Sequence, residues 1–299
     1  MPVVTCAALA LALANPASSG TFTLGEDCKP GLRYGVVAPG ITVAAQFEKT
    51  VVVEAGTHLI HGLEVVNGGN LVWRGGRIQS PAGTPDRGSE GPRFYGVRLV
   101  NARDVTLEGI HLSNSRKAVV VTRSAGVTLT KSRCVGLMED CMIVSDSRTV
   151  RFTNNVIGPL SRYRPLCDVR GKITEGVRRA VCEKESGTWT DGWHSDVLQL
   201  RNGVIDVVAS GNRINTTGQG LTQMGNSRDR PLANVRFENN VIASGRHGLT
   251  LGDCNDCRIT GNRLTTAVPG WRSVIRPGQA LACGNIVPDG GPGEGKCPG

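Results

Sequence analysis

Hydrophobic and polar residues alternate in short runs along most of this chain, and one run keeps returning. Val150-Arg-Phe-Thr-Asn-Asn155-Val-Ile157, Val207-Val-Ala-Ser-Gly-Asn212-Arg-Ile214, Val235-Arg-Phe-Glu-Asn-Asn240-Val-Ile242 and Cys257-Arg-Ile-Thr-Gly-Asn262-Arg-Leu264 superimpose without a gap. Alternation with a period of two predicts strands that turn every second side chain inward. Earlier copies start at Val105 and Val127, with Ile110 and Ser132 standing where the later ones have Asn. The steps from Ile110 to Ser132 and from Asn240 to Asn262 are 22 residues, and that from Ser132 to Asn155 is 23. So short a period, with two or three strands per copy and no helix of useful length, makes each copy one turn of a coil of parallel strands. A leucine-rich repeat has a similar period but needs a Leu-x-x-Leu-x-Leu framework, which is absent. The recurring amide is expected to stack at a turn, so that Asn155, Asn212, Asn240 and Asn262 form a ladder from coil to coil.

The same alignment predicts a second strand in each coil, beginning at Gly96, Ala118, Asp140, Asp196, Gly220 and Gly248. It reads Val97/Leu99, Val119/Val121, Cys141/Ile143 and Leu249/Leu251 as interior. Residues 21–50 read as an N-terminal cap, with a short helix over Val43–Lys49 before the strand Val51–Glu54. The coil is placed at 51–270, interrupted by an excursion at 161–190, and residues 271–299 form a C-terminal tail. No coil needs a thirty-residue excursion, and long loops on compact scaffolds are usually functional or disordered. This one carries Cys167 and Cys182, read as a staple, and the cations Arg162, Arg164, Arg170, Lys172, Arg178, Arg179 and Lys184. They are read either as a basic wall or as a solvated loop balanced by its own acids.

The chain is organised around Thr190–Gly203, which puts Asp191, His194, Asp196, Gln199 and Arg201 within eleven positions. Looping out the excursion makes Asp140 and Asp196 neighbours on the outer surface. Glu139, Ser195, Gln219 and His247 then stand one residue before the strand starts, and His194 and Arg246 two before. Asp140, His194, Asp196 and His247 are the candidate catalytic groups. Glu139, Asp191, Gln199, Arg201, Gln223 and Arg246 are candidates for binding substrate. A lone Asp at a strand end is usually a turn former and a lone His a surface residue, whereas titratable groups converging on one strip point to chemistry. On this register His194 and Asp196 face outward, so their replacement is expected to leave stability unchanged.

With this repeat the chain resembles the right-handed parallel β-helix proteins of the pectate lyase and polygalacturonase type, over roughly residues 51–266. The resemblance implies an all-β, single-stranded right-handed solenoid that acts on polysaccharides. Gly245-Arg-His-Gly-Leu-Thr-Leu-Gly252 is similar to the Gly-His-Gly segment of polygalacturonases, and Glu139-Asp-Cys-Met-Ile143 to their Asp-Asp-Cys-Ile segment. These matches carry family roles onto Asp140 and His247 alone, because the family's Asn-Thr-Asp and Arg-Ile-Lys segments have no counterpart here. Two reactions follow. A lyase or epimerase uses His194 or His247 to take the proton next to a uronate carboxyl, with Arg201 or Arg246 neutralising the carboxylate. A hydrolase uses Asp140 and Asp196 as a carboxylate pair. The lyase is slightly favoured by charge, a non-catalytic glycan-binding or adhesin β-helix stays open, and no cofactor is required, although neighbouring carboxylates can hold Ca²⁺.

Composition adds context. With 299 residues, 40 Gly, 4% aromatics and a formal net charge of +9, the chain reads as one turn-rich domain, expected to be a monomer, whose partner is an anionic polysaccharide. Cations without interleaved aromatics argue against nucleic acid. The apolar run Thr5–Ala14, with Ala12-Leu13-Ala14 as a small-residue site, makes residues 1–20 a signal peptide too short to span a membrane, and the protein secreted, extracellular or periplasmic. No cation precedes the run, and a buried strand or helix is the alternative. Ten cysteines agree with export. Without Cys6 the remaining nine leave one unpaired, Cys254 and Cys257 are read as a local disulfide, and Cys134 and Cys141 are expected to be buried.

Overall fold

The structure is a computed structural model. It describes the chain except residues 1–2, 5–8, 10–11, 25–40, 80–94, 116, 138, 161–165, 170–171, 176–178, 191–194, 202, 224–229, 246, 269–272, 288–292, 294–296 and 298–299. The chain winds as a right-handed parallel β-helix with three faces. The first face is built by strands such as Gly69–Gln79, Arg103–Glu108, Ala125–Thr130, Arg148–Thr153, Ile205–Ser210 and Leu232–Glu238. A turn leads to the short strands of the second face, His111–Leu112, Arg133–Cys134, Val156–Ile157, Arg213–Asn215, Val241–Ser244 and Arg263–Thr266. The third face stacks nine strands in chain order. Among them are Tyr95–Val100, Lys117–Thr122, Met142–Ser145, Asp196–Leu200, Gln219–Gln223 and His247–Thr250.

Interior residues stack like on like. Leu107, Leu129, Phe152, Ala209 and Phe237 succeed one another in register on the first face, and all are fully buried. The turn between the first two faces carries the amide ladder. Nδ2 of Asn155 donates to Oδ1 of Asn212 at 3.1 Å, Asn212 to Asn240 at 2.8 Å, Asn240 to Asn262 at 2.9 Å and Asn262 to Asn285 at 2.9 Å. Each acceptor also takes the backbone N–H of the coil before it, as Asn240 does from Asn212 at 3.1 Å. The ladder therefore satisfies the buried polar groups of a turn that has no strand to pair them. It runs one coil beyond the four expected residues, to Asn285, and at the other end Oγ of Ser132 accepts from the Ile110 N–H at 3.1 Å. Just before it the chain turns with positive φ at Asn154, Gly211, Asn239 and Gly261, a conformation that Asn and Gly adopt most readily.

One expectation changes. Val43–Lys49 is not helical: Ile41–Val43 and Gln46–His61 are strands, because Val43, Ala45 and Phe47 alternate as buried residues and that period outweighs local helix propensity. Near the start of the chain Val3–Val4 pairs with Thr23–Leu24, and Leu9 and Leu13 are buried. No cysteine is free among the described residues, and Cys6 and Cys28, on which the expected odd cysteine turns, lie outside them. Cys134 bonds Cys141, Cys254 bonds Cys257, Cys283 bonds Cys297, and Cys182 is also in a disulfide. Cys134 and Cys141 are fully buried, as their positions required. Within the excursion, Leu166–Val169 pairs antiparallel with Lys172–Glu175 and Thr188–Thr190, and Arg179–Lys184 is a short helix. Most of its cations lie outside the described residues.

Candidate functional site

The third face sets the site by its register. Val119 pairs with Met142, Met142 with Leu198 and Leu198 with Leu221, so Met142 and Val144 take the interior places expected for Cys141 and Ile143. The correction is one residue, and its cause is local. Other coils turn the corner on a small residue, Gly96, Ala118, Gly220 or Gly248, whereas Cys141 and Val197 stand at that corner here, leaving the alternation to be read one place late. The Cys141 N–H donates to the Asp196 carbonyl at 3.3 Å and the Ala118 N–H to the Asp140 carbonyl at 2.9 Å. Asp196 pairs with Gln219. Lys117, Asp140, Asp196, Gln219 and His247 consequently form one row across five successive coils, spaced ~4.8 Å apart.

Asp140 and Asp196 are the centre of that row. The backbone N–H of Asp196 donates to Oδ1 of Asp140 at 2.9 Å. Nε2 of Gln199 donates to Oδ2 of Asp196 at 2.7 Å, and Nε of Arg201 donates to Oε1 of Gln199 at 2.8 Å. Gln199 lies between the interior residues Leu198 and Leu200 and so points outward, and the Asp196 carboxylate that meets it lies on the outer side as well. Outward does not mean exposed. Asp140 is 3% exposed, Asp196 0% and Gln199 3%, which overturns the expectation that Asp196 is a surface residue. Ile143 and Thr222, in the same outward row as Gln199, are buried too, while Arg201 at the end of the strand is exposed. The chain leaves the coil after Ile157 and rejoins it at Asp196, so this covered patch sits where the excursion departs and returns.

Burial, followed by the charge of Asp196, holds the Asp140 carboxyl well above the usual carboxylate range. Glu139 pushes the same way, and the Asp196 N–H and Lys117 oppose the shift. Nζ of Lys117 lies 3.7 Å from Oε2 of Glu139, which is 8% exposed. The two neighbouring carboxyls therefore have different surroundings: burial and the charge of Asp196 favour the protonated form of Asp140, and Asp196 accepts a hydrogen bond from the Gln199 amide. His247 is half-buried two coils beyond Asp196. Gln223 is directed elsewhere, accepting from the Gly252 N–H at 2.6 Å and donating to the Asp253 carbonyl at 3.4 Å. Asp191, His194 and Arg246 lie outside the described residues.

Lys117 and Thr250 escaped the sequence reading, and Ser195 was placed beside the row without a role. Lys117 joins the row only once the register is known. Oγ of Ser195 and Oγ1 of Thr250 are buried with no hydrogen-bond partner among the described residues, and Thr250 follows Thr222 in the outward row of Gln199. Unpaired buried hydroxyls suit a ligand rich in hydroxyls. Among the described residues no group of three or more His, Cys, Asp or Glu could hold a metal ion. A cleft of about 540 Å³ lined by Asn234, Arg236, Asp256 and Gln279 lies on the first face, away from this row. No described helix is long and apolar enough to cross a membrane.

No protein-family model and no curated protein matches the chain. Solved structures do. An alginate lyase from Paenibacillus sp. str. FPU-7 superimposes with a TM-score of 0.54 at 14% identity, covering 96% of this chain and 95% of that one. The Dettilon tailspike protein gives 0.49 at 10% identity over 92% of this chain and 60% of its own. PfbA, a surface adhesin of Streptococcus pneumoniae, gives 0.42 at 10% identity over 92% and 82%. At these identities the likeness is one of fold.

Proposed function

We propose that this protein is a secreted enzyme that cleaves a polysaccharide on the third face of its β-helix, with Asp140 and Asp196 as the reacting pair. The observation that carries this reading is their contact: neighbours in one row, joined by the Asp196 N–H to the Asp140 carboxyl, with burial favouring the proton on Asp140 and Gln199 bonded to the Asp196 carboxyl. Carboxyl pairs whose surroundings push them into different protonation states are how an acid and a base are assigned at neutral pH. Asp140 gives its proton to the glycosidic oxygen as the bond to the leaving sugar breaks. Asp196 either attacks the anomeric carbon or takes a proton from the water that does, depending on the distance between the carboxyls when the sugar is bound. The row continues to the half-buried Gln219 and His247, and a parallel β-helix offers such a row along its axis to an extended polymer.

A second reading, a lyase or epimerase acting on a polyuronate, is supported by the place of His247 in the same row and by a fold that matches an alginate lyase over nearly its whole length. There His247 takes the proton next to the uronate carboxyl, and the neutral Asp140 with Arg201 stabilises the carboxylate as charge builds on it. Incubation with a panel of neutral and acidic polysaccharides, following reducing ends and the absorbance of unsaturated products separately, decides between them. Reducing ends without unsaturation support the carboxyl pair as hydrolytic. Unsaturated ends establish the lyase; no cleavage of any polymer in the panel sinks both cleaving reactions, and no exchange of the proton next to the uronate carboxyl with deuterated water then sinks the epimerase as well.

A further inference from the structure

A second row of side chains runs along the other exposed face of the coil. Arg77 pairs with His111, His111 with Arg133, Arg133 with Val156, Val156 with Arg213, Arg213 with Val241 and Val241 with Arg263. These seven residues succeed one another on seven coils of the second face, a track of roughly 29 Å at ~4.8 Å per coil. The four arginines are exposed, and so are Val156 at 45% and Val241 at 50%. The shortest strands leave one outward position each, so what stands there repeats as a file, and on the longer strands a second outward row of Asn215, Ala243 and Thr265 runs beside it without charge.

The file is strongly cationic. It contains no acidic residue, and none of its arginines forms an ion pair with a described residue. Two acids stand in the first-face row beside the file: Glu108 is already engaged by Arg74 at 3.1 Å and Lys131 at 2.9 Å, and the half-buried Glu238 is one negative charge against four arginines. His111 records the field: burial, followed by the charges of Arg77 and Arg133, holds its imidazole below the ordinary range. From Arg133 onward the cations alternate with valines, so like charges recur every second coil with a small apolar surface between them.

We infer that this file is a second binding track, which holds an extended acidic polysaccharide along the second face, parallel to the Asp140–Asp196 row. Carboxylates or sulfates projecting from every second sugar meet the arginines, which bind planar oxyanions through two parallel hydrogen bonds. The C–H faces of the intervening sugars rest on Val156 and Val241. A single-stranded nucleic acid would need aromatic platforms for its bases, and the file has none. The inference sharpens the proposed substrate to a polyanion, yet it stands on a separate face and on binding alone.

The test uses the full chain and size-fractionated polygalacturonate and alginate, with single-stranded DNA and phosphatidylserine vesicles as competing probes. The triple variant Arg133→Gln, Arg213→Gln, Arg263→Gln is compared with Arg103→Gln, Arg148→Gln, Arg258→Gln, which removes the same charge from the first face. Polyuronate binding is expected to weaken about tenfold or more in the first variant and to change little in the second, as three exposed ion pairs of modest strength would give. It should also weaken as salt rises, and the first variant should show the shallower dependence. Asp140→Asn should bind at this track like the parent, so a failure of the cleavage reading would leave the binding result standing. Equal weakening in both triple variants, no weakening in the first, or tighter binding of DNA or vesicles than of either polyuronate would overturn the inference.

Discussion

The backbone N–H of Asp196 donates to the Asp140 carboxyl oxygen Oδ1 at 2.9 Å, joining residues 56 apart in sequence as adjacent members of one row. The excursion separates them along the chain, and the coil stacks them in space. Bonded to a backbone donor and screened from water, the pair is a fixed acid beside a fixed acceptor, and its properties follow from burial as much as from contact.

Asp140 makes stability depend on pH in a definite direction. Its folded carboxyl ionises well above the ordinary aspartate range, so at low pH both folded and unfolded chains carry the proton and its contribution is fully present. As pH rises through the ordinary range the unfolded chain ionises first, and folding loses stability until the folded carboxyl ionises too. Asp140→Asn has no such proton to lose. Urea unfolding between pH 3 and 8 should therefore show the variant gaining on the parent as pH rises; parallel profiles would mean that Asp140 is not held neutral.

Removing one rung of the amide ladder should be costly. Asn240→Leu takes away the acceptor of the Asn212 N–H and amide and the donor to Asn262 and to the Ala209 carbonyl, leaving the buried Asn212 N–H without its partner, while Asn262 keeps only the backbone N–H of residue 240. A loss of about 2–4 kcal/mol is expected in urea melts. The neighbouring exposed change Val241→Thr should stay within about 0.5 kcal/mol of the parent, which separates the ladder from the turn as such.

The Cys134–Cys141 bridge can be read directly by mass. Trypsin cutting after Arg133 and Arg148 releases one peptide that carries both cysteines, and it should be lighter by two hydrogens before reduction and unlinked to any peptide of the excursion. Replacing both by Ala should lower stability by about 2–3 kcal/mol from loop closure, with the emptied core adding to the loss. A link from either cysteine to Cys167 or Cys182 would contradict the pairing.

Much of this was legible in the sequence, because a coil repeats its own solution. The recurring Asn marks a turn whose polar groups nothing else pairs, and it fixed the period and the stacking that bring Asp140 next to Asp196. The register of the third face was legible only in part. Where Gly or Ala turns the corner the alternation is unambiguous, but Cys141 and Val197 look like interior residues and moved the reading by one. The burial of Asp196 was not legible at all, because outward position along a strand is a local property and cover is not. For the same reason the helix assigned to Val43–Lys49 gave way to strand: its alternation gains meaning only when a neighbouring coil lies beside it.

Replacing Asp196 is consequently not a surface change, and its effect on folding must be measured along with its effect on chemistry. Asp196→Asn keeps an oxygen for Gln199 to bond, so it should fold with a modest loss of stability, larger than an exposed substitution would give.

The most direct test is the turnover of Asp140→Asn and Asp196→Asn on the polysaccharide that the parent cleaves, with each variant first shown to be folded. Loss of an acid, base or nucleophile should lower turnover about a hundredfold or more in both, with the Michaelis constant little changed. Turnover within a few-fold of the parent in both folded variants would contradict the assignment of the Asp140–Asp196 pair as the reacting groups.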